Sequence, residues 1–490
     1  MVLKSRKKYF VLLIIGGLLL SVVAGVKYFS CKTQACVDGE AFKSNYQTVA
    51  VRWKLLPHKK AFLEGMQMQP VSGSPSNGEE ISSAEKYSAL KEENRNQDSC
   101  LPIRYSYKEI NRLPTIRNQE NLNTCWAFAS LAALQSSIMP QEENRFSVDN
   151  MVYNGGYTNL SADGGDYTRA IAYLTSWKGP VYEQDDIYND GICNKETKAV
   201  KHVQEVQILE NKDLQAVKQA VFATGGVESS LYCAINVNTE ESDYYNCENY
   251  AYYYNGTFKP NHDVVIVGWD DEYAKENFNI EPEANGAFIC MNSWGTNFGE
   301  QGLFYVSYYD ANLAMHSVVY TKVEAPDNYD AVYQSDLCGW VGQIGYDMEK
   351  AYFANVYTAE ADENIAAVGF YATGKSTTYD IYLVENFTGK DSFQRKKYIQ
   401  SGTIRNTGYY TIKLEEPIQM ASGCHYAVVV YIKTPGAVHP VAIEYCVGEA
   451  TKDVDLSDGE GYISLSGKNW EHVEDTKNCN ICLKVYTKRE

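Results

Sequence analysis

The sequence predicts an α+β chain in which a helical lobe and a β-rich lobe form one domain and an all-β sandwich follows. Three observations carry this expectation. An apolar helix pattern starts at Cys125, with Ala127, Leu131, Leu134 and Ile138 on one face. Two short runs, Val264 to Val267 and Phe288 to Met291, have the length and composition of buried strands. From about Tyr329 to Glu490 the texture changes to short β-rich segments separated by turn residues, among them Ala366 to Tyr371, Tyr379 to Val384, Tyr409 to Ile412 and Tyr426 to Tyr431.

Taken in order, the chain opens on a basic flank, residues 1–8, with Lys4, Arg6, Lys7 and Lys8. An uncharged apolar run over 9–26 follows, which is an export signal just long enough to span a bilayer. The positive-inside rule favours an uncleaved anchor with its N-terminus in the cytoplasm. A cleaved signal peptide, with Val22-Val23-Ala24 as its small-residue site, is the alternative. Residues 27–100 read as a spacer, because Pro70 to Ser99 is rich in Ser, Asn, Glu and Lys and buries little. Within it, Trp53 to Met68 is more apolar and suits a short prosegment docked on the next domain. The domain boundaries expected downstream are 101–325 and 329–490.

Composition excludes several classes. Sixty-two acidic against forty-four basic residues argue against a nucleic-acid partner. Neither a Gly-rich phosphate loop nor a metal-ligand cluster stands out, so the reading includes no metal and no cofactor. Thirteen cysteines, less Cys125, leave an even number, and Cys233 with Cys247 or Cys31 with Cys36 are candidate disulfides outside the reducing cytosol. The Cys479-Asn480-Ile481-Cys482 spacing has no second CxxC and lies in a strand-like tail, which argues against zinc and redox roles.

Chemistry concentrates in three segments. In Asn118-Gln119-Glu120-Asn121-Leu122-Asn123-Thr124-Cys125-Trp126-Ala127-Phe128, a cysteine opens a helix. Thr124 or Asn123 is placed to cap that helix, and Pro140 limits it. Backbone N–H groups at a helix start favour a thiolate. Gln119 can aim an amide donor at the oxygen that becomes negative when the thiolate attacks a carbonyl. In Asn261-His262-Asp263-Val264-Val265-Ile266-Val267-Gly268-Trp269, a histidine precedes a buried-strand pattern. In Phe288-Ile289-Cys290-Met291-Asn292-Ser293-Trp294-Gly295, another strand ends in Asn-Ser-Trp-Gly.

These segments, in this order, resemble the active-site segments of papain-like cysteine peptidases. The resemblance implies a two-lobed papain-like domain with the cleft between its lobes. It makes Cys125 the nucleophile, His262 the acid and base, and Asn292 the group that orients the imidazole. Trp294 would shield that contact, and Gln119 with the Cys125 backbone N–H would form the oxyanion site. Gly164-Gly165, ahead of the helix pattern Tyr167 to Leu174, resembles the glycine pair along which an extended substrate lies. There are departures. Leu122 stands where the plant and animal enzymes carry a second cysteine, and Asn123 stands where glycine is usual, a place where asparagine tolerates left-handed geometry. Asp263 replaces a small residue and, if it reaches the cleft, favours a basic side chain two residues before the cut.

The C-terminal region resembles the lectin-like domain of certain exported bacterial papain-family peptidases. Tyr352-Phe353-Ala354-Asn355-Val356-Tyr357, Ala367-Val368-Gly369-Phe370-Tyr371 and Gly461-Tyr462-Ile463-Ser464 leading to Trp470 carry that likeness. It implies a glycan ligand, with a purely structural domain as the alternative. The expectation is a cell-surface cysteine endopeptidase acting on protein or peptide, anchored in the membrane or secreted. A catalytically silent adhesin on the same scaffold and a transpeptidase are the competing readings.

Overall fold

The structure, a computed structural model, describes residues 101–158, 164–236 and 239–489 together with the backbone strand Gln47–Ala50. The N-terminal apolar run, Trp53 to Met68, Cys31 and Cys36 lie outside the described residues. Among the described residues no helix is long and apolar enough to cross a membrane. Strand Gln47–Ala50 pairs antiparallel with Gly342–Gly345 of the C-terminal region.

The helical lobe is built from Cys125–Ile138, Val148–Asn154 and Tyr167–Thr175. The first helix is buried at every position from Cys125 to Ser136, so the single apolar face expected from its spacing understates it. Small residues (Ala129, Ser130, Ala132, Ala133) line its remaining faces and let neighbours approach from all sides, as in a helix at the centre of a domain. It ends at Ile138 because Met139 turns extended ahead of Pro140. Thr124 does not cap it. Its hydroxyl instead meets the Tyr188 hydroxyl at 2.8 Å.

In the β-rich lobe, strand His262–Asp270 lies between Val227–Leu231 and Ala287–Met291, antiparallel to both. Every residue from His262 to Trp269 is buried. The continuous β-branched run is what a strand covered on both faces requires.

The sandwich is formed by a six-stranded sheet (Lys397–Ile404, Thr377–Glu385, His425–Lys433, Lys350–Thr358, Gly461–Ser464 and Glu471–His472, in spatial order) facing a second layer. Phe353, Ile381, Val428 and Val430 meet Val368, Phe370, Leu483 and Val485 in one core. All four β segments expected from the sequence fall within strands.

The two halves are not beads on a string. Strand Thr407–Met420 pairs with Glu363–Ala372 on one side and, through Thr407 to Tyr410, with Glu205 to Ile208 of strand His202–Leu209 on the other. One 13-stranded sheet thereby runs through both halves. Gly408 makes the approach possible: its φ is +149°, and a Cβ there would sit 2.0 Å from the Val206 carbonyl oxygen. Beside the ladder, Trp177 stacks on His202 at 3.8 Å, and the Tyr409 and Tyr486 hydroxyls meet at 2.5 Å.

The expected Cys233–Cys247 disulfide is absent, and both thiols are free. The Cys233 backbone is clasped through its N–H and C=O by the Asn261 side chain, whereas Cys247 sits exposed after the Tyr245–Asn246 strand. Cys193, Cys290, Cys338, Cys424, Cys479 and Cys482 are also free, so an even count did not imply pairing. Cys479–Ile481 is a strand, as the tail-like reading expected.

Candidate active site

The site is assembled by a short antiparallel contact between the loop before the Cys125 helix and the end of strand Ala287–Met291. Asn118 bridges Trp294, Gln119 N–H donates to the Ser293 carbonyl at 2.7 Å, and Gly295 N–H donates to the Arg117 carbonyl at 2.9 Å. Two distant segments are thus locked by backbone bonds, and Cys125 and Asn292 are held at fixed depth. The left-handed residue of the loop is Glu120, with φ 55°, not Asn123. Tyr188 ties the loop from outside, donating to the Gln119 carbonyl at 2.9 Å.

His262 opens its strand, and its Nε2 lies 2.8 Å from Asn292 Oδ1. With Nε2 as the donor, Nδ1 is the nitrogen left for a proton from the thiol. The Asn292 amide oxygen also accepts from Ser293 N–H at 2.8 Å, which fixes which end of the amide faces the ring. The Trp294 ring lies beside the imidazole, with ring centroids 4.9 Å apart.

Burial pushes the Cys125 thiol up, with the Asp263 carboxylate adding to the rise. The backbone N–H groups of Asp263 and Trp126, directed at the sulfur, pull the other way. His262 is pushed down to about 4 by burial, against the pull of its bond to Asn292. Each shift opposes an isolated charge. Passing the thiol proton to the imidazole creates two opposite charges together, and each then favours the other. The helix N-terminus adds its own preference for the sulfur anion.

The Gln119 amide, expected to be an oxyanion donor, is held by Ser293, a residue that sequence reasoning missed. Ser293 Oγ donates to Gln119 Oε1 at 2.6 Å, and Gln119 Nε2 donates to the Leu122 carbonyl at 2.7 Å. The amide plane is fixed at both ends, and the second N–H of Nε2 remains for a substrate oxygen. The only local signal was a hydroxyl residue immediately after the asparagine.

The glycine pair divides its work. Gly164 has φ 74°, whereas a Cβ on Gly165 would fall 2.3 Å from the Trp126 ring. Asp166 then caps helix Tyr167–Thr175 by accepting from Thr168 N–H at 2.8 Å. Asp263 is buried: its carboxylate accepts from Ser230 Oγ, whose oxygen lies 2.7 Å from His316 Nε2. Burial first, then the Asp166 charge, raise it to about 7 against the Ser230 bond. Glu228, buried beside it, accepts from Ser130 Oγ at 2.8 Å and is raised well above the ordinary carboxylate range by burial.

Residues 101–323 match the model of the papain family cysteine proteases, and residues 332–487 match that of the lectin-like domain. Among curated relatives, the viral cathepsin of Choristoneura fumiferana defective polyhedrosis virus is 26% identical over 240 residues, covering 45% of this chain and 67% of its own length. That of Epiphyas postvittana nucleopolyhedrovirus is 27% identical over 211 residues, covering 41% of this chain and 58% of its own length. Two solved structures match both halves at once. The clostridial cysteine protease Cwp84 after propeptide cleavage superposes with a TM-score of 0.70 at 27% identity, covering 79% of this chain and 99% of that one. The cysteine protease and lectin-like domains of Cwp84, a surface layer associated protein of Clostridium difficile, give 0.70 at 25% identity, covering 84% and 97%. Family models and superpositions over 79% and 84% of the chain agree: the chain carries a papain-family cysteine protease domain over residues 101–323, followed by a lectin-like domain over 332–487.

Proposed function

We propose that the chain is an exported endopeptidase that cuts protein or peptide substrates by thiol catalysis, with Cys125, His262 and Asn292 as its catalytic residues. One observation carries this: His262 is oriented by Asn292 at 2.8 Å, while the backbone N–H beside it, that of Asp263, points at the Cys125 sulfur. A substrate lies extended along Gly164 and Gly165 with its scissile carbonyl over the sulfur. The Cys125 thiolate attacks the carbonyl carbon, and the oxygen takes the charge between the Gln119 side-chain N–H and the Cys125 backbone N–H. His262 gives its proton to the amine nitrogen as the C–N bond breaks, leaving a thioester. Water then adds to the thioester with its proton passing to His262. Collapse releases the acid, and the sulfur and imidazole return to their starting pair.

Asp263, buried against Ser230, is proposed to favour a basic side chain two residues before the cut where its carboxylate reaches the cleft. Export rests on the basic flank and apolar run at 1–26, and it fits the surface-layer association of the clostridial relative. That run would hold the catalytic domain at the outer face of the membrane or be removed on secretion.

The test labels the full chain with an epoxide-type thiol reagent beside Cys125→Ala, with cleavage of Arg- and Leu-containing fluorogenic peptides read in parallel. Labelling and cleavage should both vanish in the variant. A folded wild-type chain that neither labels nor cleaves would refute the peptidase, and a clear Leu preference would refute the role given to Asp263.

A further inference from the structure

The two N–H donors proposed for the oxyanion sit at opposite ends of one loop. Gln119 opens it, and the peptide bond from Thr124 to Cys125 closes it. The stretch from Gln119 to Thr124 is neither helix nor strand, and it contains no cysteine to staple it. Left to itself, such a loop keeps much of its backbone freedom, and the spacing of the two donors would vary with it.

Tyr188 removes that freedom from outside the loop. Its hydroxyl donates to the Gln119 carbonyl at 2.9 Å and lies 2.8 Å from the Thr124 hydroxyl. A phenol has one proton and a carbonyl can only accept, so Thr124 Oγ1 is the donor to the phenol oxygen. One oxygen thus touches the residue that carries the side-chain donor and the residue whose carbonyl belongs to the peptide of the Cys125 N–H. Hydrogen bonds in such a chain strengthen one another. Burial pushes the phenol up, against the pull of its Thr124 bond, and the Asp149 and Glu120 charges add to the rise, so it keeps its proton near neutral pH.

The tyrosine is itself held. Glu183 Oε1 accepts its backbone N–H at 3.3 Å, and the other Glu183 oxygen pairs with Arg117. The next residue, Asn189, donates its backbone N–H to Asp149 at 2.8 Å. Its side-chain amide donates to Glu120, the left-handed residue of the loop, also at 2.8 Å. The Tyr188 ring packs against Phe128 of the Cys125 helix, with centroids 4.9 Å apart and planes at 79°.

We propose that Tyr188 is a positioning residue of the peptidase, whose hydroxyl sets the spacing between the Gln119 amide and the Cys125 backbone N–H. The inference rests on the oxyanion site being formed by those two groups. The test compares two thiol reagents on the full chain. A peptide aldehyde takes the Cys125 sulfur on its carbonyl carbon and leaves a tetrahedral oxygen in the oxyanion site, whereas an epoxide alkylates the sulfur by ring opening and forms no such oxygen. Tyr188→Phe keeps the ring and removes only the hydroxyl, and Thr124→Val removes its other partner at nearly the same volume. Tyr188→Phe should lower kcat about tenfold with little change in KM, and weaken the aldehyde by a similar factor. Its epoxide labelling rate should change by less than about twofold, and Thr124→Val should show the same pattern to a smaller degree. Unchanged kcat and aldehyde affinity in Tyr188→Phe would overturn the proposal and leave the peptidase standing. Equal losses with both reagents would mean a general loosening of the site and would overturn it too. A wild type that reacts with neither reagent would refute the peptidase, and this role with it.

Discussion

The catalytic site and the seam between the two halves are both buried, yet they are built from opposite materials. Around Cys125 the buried groups are polar and incompletely matched: Asn292 Nδ2 and Glu228 Oε1 have no hydrogen-bond partner among the described residues, and Asp263 is raised to about 7. At the seam, a backbone ladder from Thr407 to Tyr410 is flanked by stacked rings. The seam too leaves Trp177 Nε1 and the Gln204 side-chain amide without a hydrogen-bond partner among the described residues, so the contrast lies in what holds each place: side-chain polar contacts at the site, a backbone ladder at the seam. The peptidase half therefore reaches its full stability only with the sandwich in place.

The largest expected effect breaks the seam. Gly408→Val puts a branched side chain where even a Cβ lies 2.0 Å from the Val206 carbonyl oxygen. It should cost several kcal/mol (about 3 or more, by analogy with severe overpacking). Thermal unfolding followed with epoxide labelling should show both halves weakened together. A drop confined to the sandwich would show that the halves are energetically separate.

Next comes Gln119, the donor proposed for the oxyanion. Gln119→Ala should lower kcat by roughly 10²–10³ with little change in KM. Ser293→Ala, which leaves the amide free to turn, should lower kcat by less, about tenfold, and by nothing further in the Gln119→Ala background. Additive losses would mean that Ser293 acts by another route.

The smallest effect concerns a buried carboxylate. Asp263 titrates at about 7 in the fold against 3.8 as its ordinary value. Between these values the folded chain holds a proton that the unfolded chain has released, so this residue makes stability fall as pH rises from about 4 to about 7. His316, pushed by burial from 6.5 down to about 4, acts in the other sense and makes stability fall as pH drops through that range. Asp263→Asn should therefore raise Tm more at pH 8 than at pH 4. An equal gain at both values would show that the carboxylate is not desolvated.

The residues proposed as catalytic were legible because each sits in its own local signature. Cys125 starts a helix, His262 starts a strand, and Asn292 ends one. What escaped depends on distant partners. Thr124 or Asn123 was expected to cap the Cys125 helix, but the Thr124 hydroxyl is taken by Tyr188, brought in by another loop. Ser293 gained its role only when Gln119 folded onto it. The pairing of Thr407 to Tyr410 with Glu205 to Ile208 joins segments about two hundred residues apart, and no periodicity in either names the other. The Cys233–Cys247 pairing failed for the same reason, since parity says nothing about where two thiols end up.

That pairing also sets an order of events during synthesis. Strand His202–Leu209 finds its first neighbour when Ser317–Glu324 emerges, but its other edge waits for residue 410. Leu483–Arg489, which flanks Glu363–Ala372 farther along the same sheet, comes almost last. A ribosome that has finished every catalytic residue therefore still holds a chain with an open strand edge, a template for pairing with the wrong molecule. The sheet that joins the two halves stays incomplete until residues 483–489 have been made.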